Sequence, residues 1–371
     1  MSEAKRWEQL SGKNHWKGLL DPLDIDLRRS ILHYGDMAEA TYDAFNSEKA
    51  SRNNGCCFYT RDDFFQKQGM STSKNPFPYT VTTYFYATSG LPEFFYVKSN
   101  WMGYVAVATD EGKKVLGRRD IVVAWRGTVQ RSEWFNDVDV RKTSAGEIFT
   151  GDDAPYVCRG WLDIYTTVDP DSKHNKNSAR EQILSEIKRL VEKYKNEQVS
   201  ITFTGHSLGA AVATLNAIDV VQNGHNKNFP VTAILFACPR VGDSKFLQLF
   251  NNLEKLRVLR IENKGDVVPD LPTNYSEVGE RIGINSENSP YLKPGTIVGQ
   301  HNLEVYLHGV TGFQGTKREF KLELNRDIAL VNKSLDYLKA EYHVPESWWV
   351  MKNKGMVKGD DGHWKLIDHD L

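Results

Sequence analysis

The chain has 371 residues, 40% hydrophobic and 26% charged, with a formal net charge of −1. This is an ordinary globular composition, and the balanced charge excludes a global field that would draw the protein to nucleic acid or to an anionic bilayer. Four cysteines (Cys56, Cys57, Cys158, Cys238) in so long a chain exclude a disulfide scaffold, and none has zinc-ligand spacing.

The N-terminus, Met1 to Trp7, shows neither an apolar signal core nor a Ser/Arg-rich transit pattern. No apolar run reaches the roughly 18 residues of a membrane span. A cytosolic location with reduced thiols is the expectation. The sequons at Asn274 and Asn332 would then never meet glycosylation machinery.

Residues 1–50 read as helical, anchored by Trp7, Trp16, Leu19 and Leu20. Asp24 to Asn46 has helical spacing through Leu27, Ile31, Tyr34, Met37, Ala38 and Tyr42, which predicts a packing helix. Residues 51–80 are a polar connection, so 1–78 is expected to be an N-terminal helical extension of one domain spanning 1–371.

Strands follow. Tyr79 to Tyr86 leads in, and Glu93–Val97 and Gly103–Ala108 are expected as neighbours joined by a turn at Ser99-Asn100. Arg119 to Trp125 is a continuous apolar run, as in a central strand, and ends in Arg126-Gly127-Thr128. Ser132 to Asp137 reads as a short helix. The polar stretch 141–157, with Ile148 and Phe149 expected to be exposed, is either a flap or a plain surface loop, and 129–157 is the candidate lid.

Ser178-Ala179-Arg180-Glu181 is a capping box opening an amphipathic helix through Ile183, Leu184, Ile187, Leu190, Val191 and Tyr194. Strand 199–204, helix 208–223, strand 231–237, helix 243–252 and strand 256–261 then alternate. This alternation predicts an α/β fold, a mostly parallel sheet flanked by helices, with its site at the carboxyl ends of the strands. Beyond 261 the chain is loop-rich, with a short helix at 301–310 and an amphipathic stretch at 322–342. A tail with Trp348, Trp349 and Trp364 is expected to cover an edge of the core.

The chemistry centres on Gly205-His206-Ser207-Leu208-Gly209, set between a β-branched strand and an Ala-rich helix. A G-x-S-x-G in that setting is a nucleophile elbow, with Ser207 strained and exposed at a helix N-terminus. A serine hydroxyl needs a base, and the base needs an orienting carboxylate. In this fold class they follow in the order Ser, acid, His. Asp266, in a Gly-Asp turn after strand 256–261, fits the acid, with Asp270 the runner-up. Asp243 reads as a helix cap. His301, at a loop-to-helix junction, is favoured as base over His308, while His343, His363 and His369 lie beyond the core pattern. His206 points away from its own neighbour and reads as packing under the elbow. The Leu208 N–H supplies one oxyanion donor, and Thr128, by its N–H and its hydroxyl, supplies the second.

Four ordered segments, Trp125–Thr128, Tyr156–Leu162, Gly205–Ala211 and Asp266–Pro272, resemble the signature of the class 3 lipases. Trp16–Asp24, His301–His308 and Pro345–Trp349 are similar to the plant class II phospholipase A1 branch. The resemblance covers nearly the whole chain. It implies an α/β-hydrolase fold with a lid over the active site and a Ser207–Asp266–His301 triad. It implies an oxyanion hole at Thr128 and Leu208, and no metal or cofactor. It further implies hydrolysis of a glycerolipid at a membrane or micelle surface, at the sn-1 ester of a phospholipid. Cys158 departs from the family, where many members carry His. Galactolipids, triacylglycerols or small esters on the same triad, and a non-catalytic lipid-binding module, are the alternatives.

Overall fold

The structure is a computed structural model that describes residues 3–48, 50–71, 77–88, 99–128, 139–151, 153–315, 319–349 and 356–366. In chain order, helices α1 (Glu3–Leu10) and α2 (Ile25–Asp43) precede strands β1 (Tyr79–Thr88) and β2 (Ser99–Ala108). Helix α3 (Asp110–Leu116) and strand β3 (Arg119–Trp125) follow, then a small hairpin of β4 (Lys142–Ser144) and β5 (Tyr156–Cys158). Next come α4 (Arg159–Thr166), α5 (Ala179–Lys193), β6 (Val199–His206), α6 (Leu208–Gln222), β7 (Val231–Phe236) and α7 (Ser244–Asn251). Strands β8 (Leu256–Asn263) and β9 (Glu280–Ile284) and helix α8 (Leu303–Gly312) complete the principal elements.

The main sheet has seven strands in the order β1-β2-β3-β6-β7-β8-β9. Strands β3 to β9 of this order run parallel, and β1 and β2 are added antiparallel at one edge. The mostly parallel sheet expected from the strand–helix alternation is therefore present.

Side-chain alternation along β6 explains how both faces are covered. Val199, Ile201 and Phe203 enter one apolar core with α4, α5 and α6. The smaller Ser200, Thr202 and Thr204 face α2. Ser200 and Thr202 donate to Asp120 at 2.6 and 2.9 Å, and Thr204 donates to the Tyr34 carbonyl at 3.1 Å. A second core on that side joins α2 and α8 through Leu27, Ile31, Met37, Tyr306, Leu307 and Val310. Thus α2, expected within an N-terminal extension, is half of one helical layer of the sheet. Its start is set by Asp24, whose carboxylate accepts from the N–H groups of Asp26 and Leu27. The capping box at Ser178 and Glu181 forms as expected.

Two expectations are corrected. Ser99 and Asn100 are strand residues of β2, opposite Thr88 and Ala87, and not a turn. A polar pair can stay in a ladder when a neighbour satisfies it, as the Thr88 and Ser99 hydroxyls do at 2.6 Å. The proposed strand 93–97 and short helix 132–137 lie outside the described residues, as does 129–138 of the candidate lid.

The described part of that stretch, from 139 on, packs against the body. Ile148 and Phe149 are 2% and 3% exposed, not open to solvent. Phe149 faces Phe246 of α7 with ring centroids 6.3 Å apart, and Asn223 donates to the Ile148 carbonyl at 3.1 Å. Tyr275 donates to the Val140 carbonyl at 2.7 Å. Two apolar side chains in a polar stretch are here buried anchors.

The amphipathic stretch 322–342 forms two 3-10 turns, Ile328–Asn332 and Ala340–Tyr342. Trp348, wholly buried, packs on Trp349 and Trp364 and donates from its indole to the Ala329 carbonyl at 2.8 Å.

Candidate active site

The turn from β6 into α6 holds Ser207 at φ 61 and ψ −126, a conformation costly for any residue with a Cβ. It is held by a bond from the Ser207 N–H to the Phe236 carbonyl at 2.9 Å, and the Ser207 carbonyl accepts from Ala210 and Ala211. The flanking glycines are needed for space. A Cβ on Gly205 would stand 2.6 Å from the Gly209 carbonyl carbon, and one on Gly209 would stand 2.5 Å from the Trp125 oxygen. With no side chain there, α6 can sit directly on the ends of β6 and β3.

Three side chains from distant segments meet at this turn. His301 Nε2 is 2.9 Å from Ser207 Oγ, and His301 Nδ1 is 2.8 Å from Asp266 Oδ2. A carboxylate only accepts, so Nδ1 carries the proton, Nε2 presents its lone pair, and the Ser207 hydroxyl donates to it. Asp266 follows β8 through Gly265, whose φ of +88 reverses the chain. The carboxylate is fully buried and accepts from Val268 N–H at 3.0 Å and from the Tyr306 hydroxyl at 2.5 Å. His301 precedes α8, which Asn302 caps.

The open alternatives resolve by position. Asp270 is a surface carboxylate, 76% exposed and 3.8 Å from Arg240. His308 is buried on α8, stacks on Phe320 and shares a 2.7 Å hydrogen bond with Ser289. Burial pulls its imidazole down to about 3. Asp243 caps α7, accepting from Lys245 and Phe246. Cys158 is buried, its thiol pushed up to about 12 by burial.

The loop Arg126-Gly127-Thr128 lies against the elbow: Trp125 pairs with Gly205, and a Cβ on Gly127 would stand 2.6 Å from the His206 carbonyl oxygen. The Thr128 hydroxyl is buried with no hydrogen-bond partner among the described residues. An orphaned hydroxyl is costly unless something later accepts from it. Leu208 N–H lies in the first turn of α6, where donors have no carbonyl one turn back. Arg126 supports the loop by donating to the carbonyls of Trp101 at 3.0 Å and Gly127 at 2.9 Å. Among the described residues no group of His, Cys, Asp and Glu could hold a metal ion. A hydroxyl, a base, a buried carboxylate and a nearby oxyanion cradle can together transfer an acyl group from an ester.

Sequence reasoning missed Tyr306, whose hydroxyl donates to Asp266, Tyr42, whose hydroxyl bonds His206, and Asn263, whose amide donates to the Gln300 carbonyl. Nothing local marks them, because each lies far along the chain from what it holds.

This fold and constellation define an α/β-hydrolase. The solved structure of the nonglycosylated LIP2 lipase of Yarrowia lipolytica shares the fold, with a TM-score of 0.50 at 18% identity, over 74% of this chain and 84% of that one. A family model described as "Lipase (class 3)" matches residues 122–276. The chain is 57% identical to phospholipase A1-II 4 of Oryza sativa, over 99% of this chain and 96% of that protein. It is 52% identical to phospholipase A1-IIbeta of Arabidopsis thaliana, over 98% and 93% respectively. The chain belongs to the class 3 lipases, in the phospholipase A1-II branch, and is a carboxylic ester hydrolase.

Proposed function

We propose that this chain hydrolyses the sn-1 acyl ester of glycerophospholipids through Ser207, His301 and Asp266. The observation that carries the reading is the unbroken hydrogen-bond line from Ser207 Oγ through His301 to Asp266. The names of the relatives support the substrate class. Ser207 Oγ attacks the ester carbonyl while His301 Nε2 takes its proton, and Asp266 stabilises the imidazolium. The tetrahedral oxyanion accepts from Leu208 N–H and from Thr128. His301 returns the proton to the leaving glycerol oxygen, the lysolipid departs, and water enters by the reverse steps to free the fatty acid. Val267, next to Asp266 in the chain, and Val298, three residues before His301, are 50% and 37% exposed, which suits a site presented to a lipid surface.

The test is a panel of phosphatidylcholine, galactolipid, triacylglycerol and short nitrophenyl esters with product regiochemistry, run beside Ser207→Ala. The expected products from phosphatidylcholine are the sn-1 fatty acid and the 2-acyl lysolipid, with none from Ser207→Ala. Release from sn-2, or preference for a galactolipid, overturns the substrate reading. An active Ser207→Ala enzyme overturns the mechanism.

A further inference from the structure

His206 sits inside the elbow but takes no part in the proton path above, and its contacts give it another task. His206 Nε2 is 2.8 Å from the carbonyl oxygen of His301, and His206 Nδ1 is 2.8 Å from the Tyr42 hydroxyl. The carbonyl only accepts, so Nε2 carries the proton and Nδ1 is the acceptor. Tyr42 must therefore donate to Nδ1. One tautomer is fixed from both ends of the ring.

The ring is enclosed by aromatic neighbours. Its centroid lies 4.7 Å from that of His301, 5.8 Å from Tyr42 and 6.0 Å from Tyr306. Burial first, and the adjacent His301 second, hold His206 far below the ordinary imidazole range. It thus stays neutral beside a ring that becomes cationic in each half-reaction. A protonated neighbour at that distance would oppose the charge His301 must carry.

We propose that Tyr42 and His206 form a positioning pair for the base. Tyr42, near the end of α2, sets the His206 tautomer. His206, the last residue of β6, grips the His301 backbone and aims its imidazole between Ser207 and Asp266. A second grip acts one residue earlier, where Asn263, the last residue of β8, donates to the Gln300 carbonyl at 3.0 Å. Asn263 is itself fixed by Ser286, through bonds of 2.8 and 2.9 Å. Two successive carbonyls of the base-bearing loop are therefore held from the ends of two strands. The Tyr42 hydroxyl also faces the oxyanion loop, since a Cβ on Gly127 would stand 2.0 Å from it. One hydroxyl from the N-terminal helix thereby touches both His206 and the oxyanion loop. This inference rests on the triad reading.

The test compares Tyr42→Phe, His206→Leu and His206→Gln for phospholipid hydrolysis, thermal stability and the rate of labelling by a fluorophosphonate, which needs the activated serine. A misplaced base costs turnover more than binding. Tyr42→Phe and His206→Leu should lower kcat and the labelling rate about ten- to a hundredfold, with KM nearly unchanged and labelling still reaching completion. The glutamine amide donates without a tautomer to choose, so His206→Gln should be faster than His206→Leu. Adding Tyr42→Phe to His206→Gln should then cost less than Tyr42→Phe alone. Wild-type labelling by Tyr42→Phe, or a loss that only tracks the unfolded fraction, overturns the positioning role and leaves the triad standing. If a His206 variant does not fold, the Tyr42→Phe labelling rate decides alone. Failure of the wild-type chain to take the label overturns the triad reading and this inference with it.

Discussion

The Tyr306 hydroxyl stands 2.5 Å from Asp266 Oδ2, the same oxygen that accepts the His301 Nδ1 proton at 2.8 Å. Burial, and then the Asp266 charge, hold this phenol well above its ordinary range, so it remains a donor. A buried carboxylate is tolerated only when its oxygens are satisfied, and here a backbone N–H, a tyrosine and the histidine share the task.

Tyr306→Phe removes one of those three donors without changing the ring. A hydrogen bond to a charged group is worth about 1.5–3 kcal/mol. Part of that is common to ground and transition states, so kcat should fall about tenfold, with KM little changed. Steady-state kinetics on phosphatidylcholine measure it, and an unaltered kcat would remove Tyr306 from the mechanism.

Thr128→Val keeps the shape of the side chain and deletes its orphaned hydroxyl. If that hydroxyl donates to the oxyanion, kcat should drop roughly a hundredfold, while Thr128→Ser should retain most activity. Because no described partner is lost and a buried unpaired hydroxyl is removed, stability should hold or rise. Equal activity of the valine and serine variants would leave only the backbone N–H as donor.

His308→Gln separates a packed histidine from a base. The variant should hydrolyse lipid normally, whereas His301→Gln should be inactive. The folded imidazole titrates near 3 and the unfolded one near 6.5, so between those values the unfolded chain binds more protons. Stability is fully present above pH 6.5 and is lost as pH falls toward 3. At pH 5 the loss from this one group is about 2 kcal/mol. Urea unfolding at pH 7 and pH 5 should show a smaller difference, by about that amount, for His308→Gln than for the parent chain.

Phe149→Ala tests whether the stretch from 139 to 157 is body or lid. As a buried anchor against Phe246, Phe149 should cost about 3–5 kcal/mol of stability when truncated. A free flap would instead give an unchanged unfolding midpoint in urea.

Much of this was legible in the chain. The strand, the two glycines and the Ala-rich helix around Ser207 mark an elbow because local strain needs local residues. The Ser–acid–His order and the loop positions of Asp266 and His301 brought forward the two residues whose side chains line up with Ser207. The helix caps at Ser178 and Asp243 could also be read, since a cap and its N–H partners lie within three residues. Where the reading erred, a long-range partner decided the outcome. Ser99 and Asn100 looked like a turn until β1 supplied their ladder. Ile148 and Phe149 looked exposed until α7 covered Phe149.

By itself, the sequence determined the alternation of strands and helices, the strained serine and the type of chemistry, because each depends on neighbours along the chain. Only the tertiary structure decided that Asp266 rather than Asp270 reaches the base. It also decided that His301 rather than His308 faces Ser207, that His206 and Asn263 meet the backbone carbonyls of His301 and Gln300, and that Tyr306 meets Asp266. Those assignments turn on directions and distances between segments far apart in sequence. Packing on the two faces of the sheet sets these, and no local pattern encodes them.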